Sequence, residues 1–188
     1  MELADGVEAD RPHRSHDVTS AASKPALPPE THIGHTHLKV ADIDRAVHFY
    51  CDILGFDLIQ RIGDQAAFVS AGGYHHHIGL NTWTSRGGTP PPPGHTGLYH
   101  HAIVLPDRKS LAEVVKRIVD SGWPLRGASD HLTHEAIYLD DPDGNGIELY
   151  WDRPREQWPR GADGRINLVG GHPLDVEDLL AEVQRVTA

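Results

Sequence analysis

The chain is short of cysteine, of basic residues and of long apolar runs, and each shortage closes off a class of function. Cys51 is the single cysteine among 188 residues, so no internal disulfide can form and a paired-thiolate metal or redox motif is excluded. A reducing compartment, hence a cytoplasmic location, is the expectation. The 17 Lys and Arg are scattered and face 27 Asp and Glu, for a formal net charge of -10. Neither nucleic acid nor an anionic membrane surface is therefore an expected partner. The N-terminal thirty residues hold no apolar run of signal-peptide or membrane-span length, which fits a soluble protein. What the chain has in excess is histidine: 15 residues, nearly as many as Lys and Arg together. Chemistry should be sought there.

Residues 1–30 are polar, rich in Ala, Pro, Asp and Ser, and follow neither the helical nor the strand period, so they are expected to form a disordered or extended tail. From Thr31 the pattern sharpens. HIGHTHLKV alternates as a strand. Asp42 then caps a helix with apolar positions at Ile43, Ala46, Val47, Tyr50 and Leu54, closed by Gly55. Residues 56–61, 66–70 and 76–83 read as three short strands separated by Gly-containing turns. After the Pro/Gly linker TSRGGTPPPPGHTG the order begins again. GLYHHAIVL is a strand and Asp107 caps a helix with apolar positions at Leu111, Val114, Val115, Ile118 and Val119, ended by Gly122. Strands follow around 124–126, 135–139 and 146–151. The spacing thus predicts an α+β domain over 31–152 made of two βαβββ units, about 31–83 and 97–152, forming a single half-open cup. Residues 153–188 are expected to form an extension with a short helix, roughly 176–186, covering the core or a partner subunit.

In such a cup every second side chain of a strand points inward. His35 and His37 share one face of the first strand, His100 stands at the start of the equivalent strand, and Glu148 lies in the last strand between Ile147 and Leu149. A buried carboxylate without a partner costs several kcal/mol or stays protonated, so Glu148 should have one. Two neutral imidazoles and one carboxylate on three rigid strands suit a non-haem Fe(II) or Mn(II) ion and leave coordination positions open. The same residues could instead form a hydrogen-bonded polar patch. A competing pattern, Asp141, Asp143, Asn145, Gly146 and Asp152, has the spacing of a calcium loop. Its flanks EAIYL and IELYW alternate as strands, however, so DPDGNG reads more simply as a hairpin turn.

HTHLKVADIDRAVHFYCDILGF, the repeated strand GLYHHAIVLPD, and EAIYLDDPDGNGIELYWDRP together resemble the vicinal oxygen chelate superfamily of glyoxalases, bleomycin and fosfomycin resistance proteins and type I extradiol dioxygenases. YHHHIGLNTW and SDHLTHEAIYLDDPDGNGIELYWDRPREQWP are most similar to its catechol 2,3-dioxygenase-like branch. The resemblance implies a metal triad at His35, His100 and Glu148. It also implies an active-site histidine at His76, with His75 and His77 a register slip away, a second near His131, with His134 competing, and a tyrosine at Tyr138. If the tract is an alternating strand, His76 faces opposite to His75 and His77.

The activity implied is a metal-dependent, extradiol-type ring cleavage of a catechol-like aromatic with O2, using Fe(II) or Mn(II). An imidazole near its working pH would serve as base and then acid. A homodimer is expected, because familiar extradiol enzymes have two cups per chain and this one has a single cup. A non-redox metalloenzyme of the same fold, a glyoxalase-like lyase or isomerase or a resistance-type transferase using Zn, Ni or Co, is the alternative. The acidic ligand of such glyoxalases falls on Gly79, which weakens a four-ligand site. A metal-free small-molecule-binding protein is the third reading. Cys51 is expected to be a small core or interface residue, and Trp83, Trp123, Trp151 and Trp158 to pack, Trp83 and Trp151 beside the cavity mouth.

Overall fold

A computed structural model describes residues 25–185; the expected tail lies mostly outside them, as does Val186 at the end of the expected last helix. Contacts divide the chain at His32 and Ile33. Of the first unit, residues 25–32 are irregular apart from a turn at Pro29 and Glu30. No helix among the described residues is long and apolar enough to cross a membrane.

The second unit carries the two repeats. In the first, β1 (Thr36–Lys39) leads into α1 (Ile43–Val47), and then come β2 (Asp57–Ile62), β3 (Ala66–Ser70) and β4 (Ile78–Asn81). Asp42 caps α1 by accepting the Arg45 N–H at 2.9 Å. The helix does not stay regular: His48–Ile53 continues it as π-helical turns. In the second repeat, β5 (His101–Val104) precedes α2 (Arg108–Asp120), which Asp107 caps through the Ser110 N–H at 2.7 Å. β6 (Leu125–Asp130), β7 (His134–Asp140) and β8 (Gly146–Asp152) complete it.

Strand orders are β1-β4-β3-β2 in one sheet and β5-β8-β7-β6 in the other, so the same topology occurs twice and the expected α+β, twofold βαβββ architecture is present. In each sheet the first strand runs parallel to the last strand of its own repeat, and the remaining pairs are antiparallel. A short ninth strand, β9 (His172–Pro173), extends the second sheet beyond β6.

The apolar faces read from the sequence are largely the buried ones. Leu111, Val114, Val115 and Ile118 of α2 and Ile43, Ala46, Phe49 and Tyr50 of the first helix join Val69, Leu80, Ile147 and Leu149 in one core. Val119 is the exception: it lies on the exposed flank of α2. The repeats meet through side chains of the first helix. Phe49 packs on Trp123 with ring centroids 4.8 Å apart, and Tyr50 donates its hydroxyl to Asp141 at 3.0 Å. Asp141 also accepts the N–H groups of Asp143 and Asn145, so the β7–β8 turn is held by its own carboxylate. Asp143 is turned onto the Ala41 N–H and the Arg45 guanidinium. Gly146 opens β8 because the backbone passes close: a Cβ there would lie 2.2 Å from the Tyr99 carbonyl oxygen.

The C-terminal extension covers this chain's own core. α3 (Val176–Ala181) buries Leu179 completely, and Leu174, Val176, Leu180 and Val183 pack around it.

His101, on the helix side of β5, is buried with neither ring nitrogen hydrogen-bonded. Burial, reinforced by His100 nearby, lowers its pKa from 6.5 to about 4. The neutral ring is thus favoured in the fold. Its contribution is complete above pH 6.5 and is lost as the pH falls toward about 4. Unfolding free energy measured by urea titration should drop across that window by about 3 kcal/mol from this residue. His101→Phe should flatten that part of the profile; an unchanged slope would mean another group governs it.

Candidate metal centre and its surroundings

Alternation along β8 puts Ile147 and Leu149 into the core and turns Glu148 to the opposite face of the sheet. Glu148 is only 8% exposed, and its carboxylate is ringed by donors from the second repeat. His100 Nε2 lies 3.1 Å from Oε2, the Tyr138 hydroxyl donates to Oε1 at 2.7 Å, and His134 Nε2 stands 3.3 Å from Oε1. Tyr138 is directly opposite Glu148 in the β7–β8 pairing, which explains the short bond. Behind it, His131 Nε2 is 2.8 Å from the Tyr138 oxygen, and the rings of His131 and His134 stack at 4.7 Å.

The electrostatics follow from this packing. Burial opposes the charge on Glu148, yet hydrogen bonds from His134 and Tyr138 and the nearby His100 and His134 outweigh it and hold the carboxyl below its ordinary range. Tyr138 moves the other way: burial, then the hydrogen bond and charge of Glu148, push its phenol well above the usual value. At neutral pH this is a carboxylate facing an un-ionised phenol. Tyr138 can donate a proton in a hydrogen bond but does not itself ionise.

The structure brings His100, Glu148, His131 and Tyr138 of the expected residues into one place, and His134 with them. Among the described residues, one group of three donors lies mutually within 4.8 Å: His131, His134 and Glu148. His131 and His134 were alternatives in the sequence; the β6–β7 turn delivers both. His35 and His76 are placed together on the first sheet, with ring centroids 4.4 Å apart, and His35 is not in that mutually close group.

The triple-histidine tract departs from its sequence reading. Pairing of β3 with β4 starts at Val69 and Ile78, so His75, His76 and His77 precede the strand, after a turn in which Gly72 and Gly73 have positive φ. The alternation argument does not apply there. His75 and His76 face each other, Nδ1 to Nδ1 at 2.7 Å, and His77 is tied to the Ser70 hydroxyl at 2.9 Å. Burial, then the neighbouring histidines, lower the His76 pKa, favouring the neutral base.

Imidazole nitrogen and carboxylate oxygen fit a divalent ion of the iron or manganese type. His100 Nε2 and Glu148 Oε2, 3.1 Å apart, are spaced as neighbouring ligands would be on an ion with bonds of about 2.1 Å.

Residues 32–149 match the Glyoxalase/Bleomycin resistance protein/Dioxygenase superfamily. The chain belongs to that superfamily. It is 40% identical over 153 residues to the catechol-2,3-dioxygenase of Bacillus subtilis, covering 81% of this chain and 52% of that protein, so it spans about half of that relative's length. A probable lactoylglutathione lyase of Synechocystis sp. is 29% identical over 124 residues, 61% of this chain and 91% of the lyase. A solved glyoxalase/dioxygenase from Nostoc punctiforme shares the fold, with a TM-score of 0.54, 22% identity, and coverage of 70% of this chain and 99% of that one.

Tyr138→Phe should raise the titration midpoint of Glu148, read by NMR of carbon-13-labelled glutamate in metal-free protein. An unmoved midpoint would show that His100 and His134 hold the carboxylate without the phenol.

Proposed function

We propose that the chain is a metal-dependent extradiol-type dioxygenase acting on a catechol-like aromatic, with O2 as co-substrate and Fe(II) or Mn(II) as its metal. The observation that carries this reading is the ionised, largely buried Glu148 with His100 beside it and three further proton-bearing groups, Tyr138, His134 and His131, within one hydrogen-bonded cluster. The relationship to a protein named catechol-2,3-dioxygenase supports it.

His100 and Glu148 would hold the metal, with His35 as the third protein ligand. When bound, the metal would supply Lewis acidity toward the two substrate oxygens and a redox-active centre for O2. The chain's own residues divide the remaining work. Tyr138, kept un-ionised, donates its single proton to Glu148 Oε1 and would turn it from that carboxylate to a substrate oxygen. His131, whose Nε2–H donates to the Tyr138 oxygen because the phenol proton goes to Glu148, orients that hydroxyl and is an acid–base candidate as an imidazole. His76, with its neutral ring favoured and next to His35, is the second acid–base candidate.

Exposed apolar side chains lie beside His100: Tyr99, whose ring is 5.4 Å from it, is 78% exposed, and Val104, further along β5, is 55% exposed. Such surfaces suit an aromatic substrate and a homodimer contact.

The lyase-type alternative needs an acidic side chain where Gly79 stands. A Cβ at that position would lie 2.9 Å from Cγ of His37, so the imidazole of His37 already fills the space.

Protein prepared without oxygen should bind about one equivalent of iron or manganese, and Glu148→Gln should weaken binding by about 100-fold or more. His35→Ala should do likewise, whereas His134→Ala should retain the metal. Oxygen-electrode assays with simple catechols should show uptake that depends on the metal. Metal binding without oxygen uptake across a catechol panel would turn the reading toward non-redox chemistry; failure to bind any metal would overturn both.

A further inference from the structure

The turn that carries His131 and His134 is held in an unfavourable backbone shape, and the group that holds it comes from outside the cluster. Leu132, between them, has φ 67°, a left-handed conformation that a branched side chain resists. Its N–H is captured by Asp130 Oδ1 at 2.8 Å. Asp130 faces a second carboxylate, since it pairs across the hairpin with the buried Glu135. Two facing carboxylates at the root of a turn repel and would open it.

Arg153, just beyond β8, removes that repulsion. Its Nη1 lies 2.5 Å from Asp130 Oδ1, and its Nη2 reaches Asp130 Oδ2 at 3.1 Å and Glu135 Oε1 at 2.9 Å. The Arg153 backbone N–H adds a bond to the Thr133 carbonyl at 2.9 Å, inside the same turn. A planar guanidinium is suited to bridging two carboxylates; a lysine ammonium is a point charge that does so less well. β9 then closes the outer side by pairing His172 with Asp130.

Glu135 has another cationic partner, Arg108 of α2, at 2.7 Å, which also binds Asp178 and Glu182 of the C-terminal extension. That arm ties helix to sheet but does not reach Asp130 or the turn.

We infer that Arg153 is a positioning residue: by clamping Asp130 to Glu135 it fixes the strained Leu132 turn and so sets His131 and His134 against Tyr138 and Glu148. The inference rests on the proposed proton-transfer role of this cluster for its catalytic consequence, but the positioning itself does not.

The test compares Arg153→Gln, Arg153→Lys and Arg108→Gln. Both glutamine variants break one arm of the Glu135 network, so both should melt several degrees lower. Imidazole nitrogen-15 NMR of metal-free protein gives the second readout, the tautomer of His131 and the hydrogen-bonded signal of its Nε2. Only Arg153→Gln should alter it, with partial recovery in Arg153→Lys. With a turned-over catechol, kcat should fall about tenfold or more in Arg153→Gln while KM changes little. Arg108→Gln should keep both near the parent values.

An unaltered His131 signal in Arg153→Gln, with losses matching those of Arg108→Gln, would overturn the inference and leave a salt bridge that only stabilises. If no catechol is turned over, the NMR comparison still decides the positioning, and that failure belongs to the dioxygenase reading.

Discussion

A carboxylate on an interior strand must be compensated, and much of the second repeat is arranged around meeting that need. Glu148 is placed by the alternation of β8, which requires Ile147 and Leu149 to fill the core and leaves the residue between them facing the other way. Once there, it needs donors. β7 supplies Tyr138 by direct pairing and His134 from its first position, and the residue before β5 supplies His100. Stability and chemistry thus use the same contacts. In the proposed reading, the groups that keep the carboxylate ionised are also those that face the metal and substrate.

The other side of β7 solves the same problem with different groups. Glu135, one residue from His134 and on the opposite face, is buried as well, and its donors are two arginines and the indole N–H of Trp151. An ammonium or guanidinium on the Glu148 side would compete with a metal; imidazoles there can be neutral and ligate. In the proposed reading, the strand therefore separates a permanently cationic network that only holds from an imidazole network given over to proton transfer. The separation costs nothing beyond the strand's period of two.

Much of this was legible in the sequence for identifiable reasons. Repetition of a capped amphipathic helix after an alternating strand marks the architecture, because Asp42 and Asp107 cap where expected and Gly55 and Gly122 have the positive φ expected after a helix end. The isolated Glu between two aliphatic residues marks Glu148. What the sequence hid depends on turns and on distant partners. The tract His75–His77 reads as strand because its neighbours do, yet Gly72 and Gly73 delay the pairing to Ile78. The choice between His131 and His134 cannot be made from spacing, since a hairpin tip held at positive φ by Leu132 allows both rings to stack. Arg153 carries no local signal at all: its meaning lies in two carboxylates 18 and 23 residues away.

The π-helical turns at His48–Ile53 have a different kind of consequence. A π turn is an α-helix with a residue inserted, and its wider ring shifts every following side chain around the helix by a fraction of a turn. Here the shift falls where Phe49 meets Trp123 and Tyr50 meets Asp141. The helix thus holds its register to the other repeat by a local defect, one that relaxes if a single residue is deleted. A one-residue deletion in this segment would therefore move both contacts at once, where a substitution would alter one.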